Sequence, residues 1–142
     1  MHPVERFRKL AIKRGLTIGA LLDASPDDFD LILLALRHEF LISKRYSERD
    51  VNSLLTLWLQ SAGSMLDVDH VELRRWLVDV AILVRDAYGH VYSLAAVPPR
   101  LLSLHAAVAD VDFSREFADA NAQESQKRAT RKAAWLTAKT QP

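Results

Sequence analysis

Residues 46–94 read YSERDVNSLLTLWLQSAGSMLDVDHVELRRWLVDVAILVRDAYGHVYSL, and this stretch decides the fold of the chain. It holds two segments with apolar residues at helical spacing, followed by two short strand-like segments separated by a turn. Ser47 is placed to cap the first helix and Asp69 the second, each with an acidic residue three positions later. The stretch therefore predicts two successive capped helices and a β-hairpin.

A third helix with an apolar stripe precedes these elements. Ser25-Pro26 is a typical helix start, because serine caps the first turn and proline is tolerated at its first position. The apolar residues behind it recur at helical spacing and are Phe29, Ile32, Leu33, Leu36 and Phe40. Helix, helix and hairpin in this order are the skeleton of a winged helix-turn-helix. We therefore predict a mainly α (α+β) fold, with a small β-hairpin wing and flanking N- and C-terminal helices.

The composition is that of one small domain with extensions. The chain has 142 residues, of which 49% are hydrophobic, enough to bury a core. The net charge of +1 neither demands nor excludes a polyanionic partner, and the lack of cysteine excludes disulfides and thiolate chemistry. The longest apolar run, 31–36, is far too short to span a bilayer, and the N-terminus has no signal-peptide core. We expect a cytoplasmic protein that does not contact membranes.

Three regions are expected along the chain. Residues 1–25 form a basic helical extension, 26–97 the winged-helix domain, and 98–142, after a Pro-Pro boundary, a C-terminal helical extension. Either extension could be a solvated helix or could lie against nucleic-acid phosphates, since both carry a local excess of basic residues. The C-terminal helix could also provide the surface for a protein partner or a homodimer.

In a DNA-binding winged helix, side chains of the helix that enters the major groove contact base edges. Arginine can bind guanine O6 and N7 in a bidentate manner, which makes Arg74 and Arg75 the natural candidates. The other candidates are basic residues placed to contact phosphates or to lie on the same helix. They are Arg85 and His90 on the hairpin, Lys44 and Arg45 before the first helix, and His70 at the start of the second. The expected partner is duplex DNA.

The same helix also favours a structural role for its arginines. Its carboxylates include Glu72 and Asp79, which repel phosphate, and Arg75 and Asp79 are spaced for a local i, i+4 ion pair. Arg74 could instead reach Glu48 of the preceding helix and fix the two helices together. The alternative function is therefore a protein-interaction or dimerisation module that does not bind nucleic acid directly.

Enzyme function is not expected. The paired carboxylates Glu48/Asp50 and Asp67/Asp69 lie where helix caps are predicted, and none of the phosphate-loop, nucleophile-elbow or zinc-protease patterns occurs. His105 has no potential ligand at metal-site spacing beside it. We predict no catalytic residue, no metal and no cofactor.

Three runs of the sequence resemble the DUF2087 family of small bacterial domains. The first is Tyr46, Ser47, Glu48, Asp50, Val51 and Asn52; the second is Asp69, Leu73, Arg74, Arg75, Leu77, Val78 and Asp79; the third is Arg85, Asp86, Gly89 and Tyr92. The resemblance covers roughly a third of the chain and implies a winged-helix fold and a role in transcriptional regulation. The spacer from Asn52 to Asp69 is longer than in the family pattern, which leaves open the geometry of the turn between the two helices.

Overall fold

A computed structural model describes residues 1–140 and shows a mainly helical protein with one small antiparallel sheet. The α+β class expected from the sequence is therefore confirmed. A 3₁₀ turn, Pro99–Leu101, precedes the sixth helix. The elements in chain order are α1 (Pro3–Ala11), α2 (Ile18–Ala24), α3 (Pro26–Arg37), β1 (Tyr46–Ser47), α4 (Glu48–Leu59), α5 (His70–Asp79), β2 (Leu83–Arg85), β3 (Val91–Leu94), α6 (Leu102–Val108) and α7 (Phe113–Thr140).

The three N-caps predicted from the sequence are all present. The side-chain oxygens of Ser25, Ser47 and Asp69 accept hydrogen bonds from backbone N–H groups three residues later, at 3.4, 3.0 and 2.8 Å. Each such cap satisfies a backbone donor that has no partner within the helix, and contributes about 1 kcal/mol. Local chemistry thus fixes where α3, α4 and α5 begin.

The predicted hairpin forms, and β1 adds a third strand to it. The strand order is β1-β3-β2, and both pairs are antiparallel. Tyr92 of β3 lies opposite Tyr46 on one side and Arg85 on the other. Directly opposed residues project from the same face of a sheet, so these three side chains share one face.

Helix α3 is the centre of the core. The predicted stripe would bury one side, yet every residue from Leu31 to Arg37 is buried. The reason is that α1 and α2 both pack on α3, while Phe29 of α3 also contacts Trp76 of α5. His38, the residue after α3, is half-buried with its ring centroid 5.0 Å from that of Phe113.

The long spacer between α4 and α5 is ordered by the N-terminal segment. Leu16 N–H donates to the Met65 carbonyl at 3.0 Å, and Asp67 N–H donates to the Leu16 carbonyl at 2.7 Å. Met65 is fully buried, and Gly63 packs against the ring of Trp58, which is itself a core residue. The extra residues therefore form a partly buried turn held by a short parallel bridge between Leu16 and Leu66.

Helix α1 packs against the start of α7 and thereby becomes part of the same core. The Phe7 and Phe113 rings meet edge to face, with centroids 4.8 Å apart, and Arg8 forms an ion pair of 2.8 Å with Glu116. Beyond this junction α7 leaves the body, and every side chain from 125 to 140 is exposed. Among residues 1–140 there is no helix with the length and apolar character needed to cross a membrane.

Candidate nucleic-acid interface

A polar cleft of about 330 Å³ separates α5 from the β-hairpin, and we call it the arginine cleft. Three of the seven candidate residues meet in it. The residues that line it are Arg74, Arg75, Val78 and Asp79 from α5, Arg85 from β2 and Tyr92 from β3. Arg74 differs from Arg75 and Arg85, because its guanidinium group already has protein partners.

Arg74 is held at the base of the cleft. Its Nη2 lies 3.3 Å from Oε1 of Glu48, and its Nη1 donates a hydrogen bond to Oδ1 of Asn52. The Tyr92 hydroxyl donates to the same Glu48 oxygen at 3.4 Å. The Arg74 side chain is 15% exposed, so the pair with Glu48 that the sequence allowed is present and ties α4, α5 and β3 together.

The local fold explains why these groups meet. Because Ser47 caps α4, Glu48 is the first residue of the helix, and Asn52 follows it by one turn on the same side. Helix α5 crosses this side with Arg74 facing it. Sequence reasoning missed Asn52 as a partner of Arg74, although its i, i+4 spacing from Glu48 was a usable signal.

Arg75 and Arg85 have exposed guanidinium groups. Within residues 1–140 neither forms an ion pair, and the local pair that the spacing of Arg75 and Asp79 allowed is absent. An arginine N-terminal to its acidic partner is the less favourable order for an i, i+4 pair, which is consistent with this result. Arg85 projects toward the cleft because it lies opposite Tyr92 in the sheet. Both cations are thus available to an anionic partner.

The hairpin turn is held by Asp86. Its Oδ1 accepts hydrogen bonds from the backbone N–H groups of His90, at 2.8 Å, and Val91, at 3.2 Å. The His90 N–H is the main cause that lowers the pKa of the Asp86 carboxyl. Gly89 adopts a φ of +73°, which favours glycine, and Tyr88 is 83% exposed at the tip. Sequence reasoning did not single out Tyr88, whose exposure at the tip depends on the hairpin geometry.

The other four candidates lie outside the arginine cleft. His90 is exposed on the hairpin turn, and His70 is half-buried at the first position of α5. Lys44 and Arg45 are exposed ahead of β1, the edge strand farthest from β2 in the sheet. The Lys44 ammonium lies 4.8 Å from the centroid of the Tyr46 ring, a cation–π contact.

Charge in and below the cleft favours an anion. Three guanidinium groups are accompanied by two carboxylates, Asp79 on the wall and Glu48 below. Glu48 already contacts Arg74 and the Tyr92 hydroxyl, so the unpaired cations Arg75 and Arg85 outweigh Asp79. In the described part of the chain, no three His, Asp or Glu side chains come together in a group that could hold a metal ion.

Comparison with known proteins identifies a family. No curated protein and no solved structure matches the chain. A family model described as "Uncharacterized protein conserved in bacteria (DUF2087)" matches residues 22–94, just over half of the chain. The match runs from α2 to the end of β3 and includes every residue of the arginine cleft. The chain therefore belongs to the DUF2087 family of bacterial proteins.

Proposed function

We propose that this protein binds duplex DNA through α5 and the β-hairpin, and that it acts in bacterial transcriptional regulation. The observation that carries the proposal is the arginine cleft, where the exposed cations of Arg75 and Arg85 face a common space from a helix and a hairpin. A phosphate backbone lying between the two elements would contact both guanidinium groups.

The topology supports a winged helix-turn-helix. Helix α3, strand β1, helices α4 and α5 and the β2–β3 hairpin follow one another, and the sheet order is β1-β3-β2. In a winged helix of this topology α5 would be the recognition helix and the β2–β3 turn the wing. The localisation proposed with this function is the cytoplasm.

The exposed face of α5 suggests a division of roles. Arg75 is the side chain placed to contact base edges, with guanine as its best partner. Val71 and Val78 are partly exposed on either side of it and suit contacts with thymine methyl groups. Arg85 and His90 on the hairpin would contact phosphates. Arg74 is a positioning residue, because its guanidinium is occupied by Glu48 and Asn52.

One observation favours the second candidate function, a protein-interaction module. The outer face of α4 carries Leu57, which is 66% exposed beside a shallow surface lined by Arg49, Asn52, Ser53 and Thr56. Protein–DNA interfaces are more polar than protein–protein interfaces, so a contact surface that includes this leucine fits a protein partner better than it fits DNA.

The test is titration of fluorescently labelled random-sequence duplex DNA by anisotropy at two salt concentrations. Arg75→Gln/Arg85→Gln should lower affinity at least tenfold and reduce the salt dependence by up to about two released counterions. The matched control is Arg100→Gln/Arg115→Gln, which removes two charges from exposed arginines outside the cleft and should bind like the wild type. Absence of binding by the wild type at low salt would refute the proposal and favour the interaction module.

A further inference from the structure

The exposed half of α7, residues 125–140, is a surface that the proposed function does not use, and we call it the C-terminal arm. At 1.5 Å per residue its 16 residues extend about 24 Å from the last half-buried position, Glu124. Every one of its side chains is exposed, although Lys127 at its base borders a shallow cavity beside α1. It is therefore available to a partner along its whole length.

The charged residues of the C-terminal arm are all positive. Its five charged side chains are all basic and no acidic residue occurs in the segment, whereas the whole chain carries a net charge of only +1. The basic residues are Lys127, Arg128, Arg131, Lys132 and Lys139. Glu124, at the base of the arm, lies 3.4 Å from Arg128 and 3.5 Å from Arg131, which leaves the outer cations without an acidic neighbour.

The cations and one aromatic ring share a stripe. Arg128, Lys132, Trp135 and Lys139 occupy positions i, i+4, i+7 and i+11, which fall on one side of a helix. The Lys139 ammonium lies 4.8 Å from the centroid of the Trp135 ring, and Trp135 is 59% exposed. The other side carries small or uncharged residues such as Ala133 and Thr137. Basic residues therefore alternate with an aromatic ring on a single exposed face.

This pattern distinguishes between the partners that could cover a basic helix. A helix that lies on a membrane needs a broad apolar face opposite its basic one, and Trp135 here lies within the basic stripe. A coiled coil between two copies needs apolar residues at every third or fourth position, yet the only large apolar residues are Trp135 and Leu136. Two such arms would also repel each other. A linear polyanion, by contrast, can bind the arm through its exposed cations alone.

We infer that the C-terminal arm binds the phosphate backbone of duplex DNA as a second contact, separate from the arginine cleft. This inference rests on the proposed function, in which duplex DNA is the partner. Duplex DNA carries one negative charge for about every 1.7 Å of its axis, so cations spaced along the exposed helix find phosphates at many relative positions. The contact carries no sequence information and adds affinity that depends strongly on salt.

The experiment compares the full-length protein with Lys132→Gln/Lys139→Gln, in which glutamine keeps a good helix propensity. The affinity for random-sequence duplex DNA is measured by anisotropy from low to moderate salt. The slope of log affinity against log salt should decrease by about 1.8 in the variant, since each phosphate contact contributes about 0.9. Lys132→Arg/Lys139→Arg should keep the wild-type slope. Arg100→Gln/Arg115→Gln, which removes the same charge elsewhere, should also keep it.

Hydrogen exchange provides a readout local to the arm. Backbone amides of 125–140 lie in an unpacked helix and should exchange rapidly in the protein alone and more slowly with duplex DNA. Loss of this protection in Lys132→Gln/Lys139→Gln would support the inference. An unchanged salt slope in that variant, with no protection of the arm in the wild type, would overturn it.

The outcomes separate this inference from the proposed function. Wild-type affinity in Arg75→Gln/Arg85→Gln together with a reduced slope in the arm variant would refute the cleft and support the arm. Binding to phosphatidylserine vesicles, but not to DNA, that depends on Lys132 and Lys139 would overturn the inference in favour of a membrane surface. Self-association that disappears in the arm variant, without DNA binding, would overturn it in favour of a second copy.

Discussion

Arg74 and Arg75 are adjacent in sequence but differ in their surroundings. Arg74 is largely buried against Glu48 and Asn52, whereas Arg75 is exposed on the wall of the arginine cleft. A helix turns about 100° per residue, so two neighbouring side chains can face different elements. Arg74 therefore acts on the position of α5, and Arg75 is the one whose charge is available to a ligand.

Substitution of each arginine should separate stability from binding. Arg74→Ala should lower the free energy of unfolding by about 1–2 kcal/mol, because it removes a half-buried ion pair and leaves Asn52 without its donor. Arg75→Ala should change it by less than about 0.5 kcal/mol while weakening DNA binding. Urea denaturation and anisotropy measure the two effects. Equal loss of stability in both variants would contradict this assignment.

Gly63 is a second position at which a single substitution should change the stability of the protein. A Cβ atom there would overlap the six-membered ring of Trp58, a core residue that cannot move without disturbing its neighbours. Gly63→Ala should destabilise the protein by about 1–3 kcal/mol, as overpacking does elsewhere. Gly19→Ala is the matched control, because its Cβ would meet nothing within 4 Å, and it should be neutral or slightly stabilising. Thermal denaturation of both variants tests the contrast.

At the scale of elements, α5 and the β-hairpin are each held by one local hydrogen-bonded cap or turn and by one contact with a residue distant in sequence. Asp69 caps α5 and Arg74 attaches it to α4, while Asp86 closes the hairpin turn and Tyr92 attaches the hairpin to Glu48. The caps and the hairpin could be predicted because their signals lie within a few residues. The Arg74–Asn52 contact was missed despite the spacing of Asn52 from Glu48, because it spans 22 residues and depends on how α4 and α5 cross.

The hairpin turn should respond to pH through Asp86. Its pKa is lowered in the folded state, so its ionised form stabilises the turn above the unfolded pKa of about 3.9. That contribution is lost as pH falls through the folded pKa. Asp86→Asn should therefore be less stable than the wild type at pH 7, and the difference should vanish below the folded pKa. The control is Asp110→Asn, which replaces an exposed carboxylate outside the hairpin turn. Urea denaturation across this pH range measures both.

At the scale of the whole molecule, the N-terminal helix and the start of α7 complete the core that the family region begins. Phe7 is fully buried against Phe113, and Arg6 forms an ion pair of 2.5 Å with Asp28 of α3. The sequence predicts a basic helical extension at residues 1–25, but periodicity does not show which surface such a helix covers. The same limit applied to α3, whose complete burial depends on helices that precede it.

Phe7→Ala should show that α1 and the family region unfold together. Removing the ring leaves a cavity between α1 and α7, and should lower the free energy of unfolding by about 3–5 kcal/mol. Far-UV circular dichroism and tryptophan fluorescence, to which the buried Trp58 contributes, should then shift together as one transition. Loss of helical signal without a shift in fluorescence would mean that α1 unfolds separately.

The position of the C-terminal arm also has a kinetic consequence. Cations on a helical arm about 24 Å long would be attracted by a polyanion before the body of the protein reaches it. Such charges chiefly raise the rate of association, whereas buried contacts set the rate of dissociation. The arm would therefore determine how quickly the protein finds DNA in dilute salt, and the arginine cleft how long it remains there.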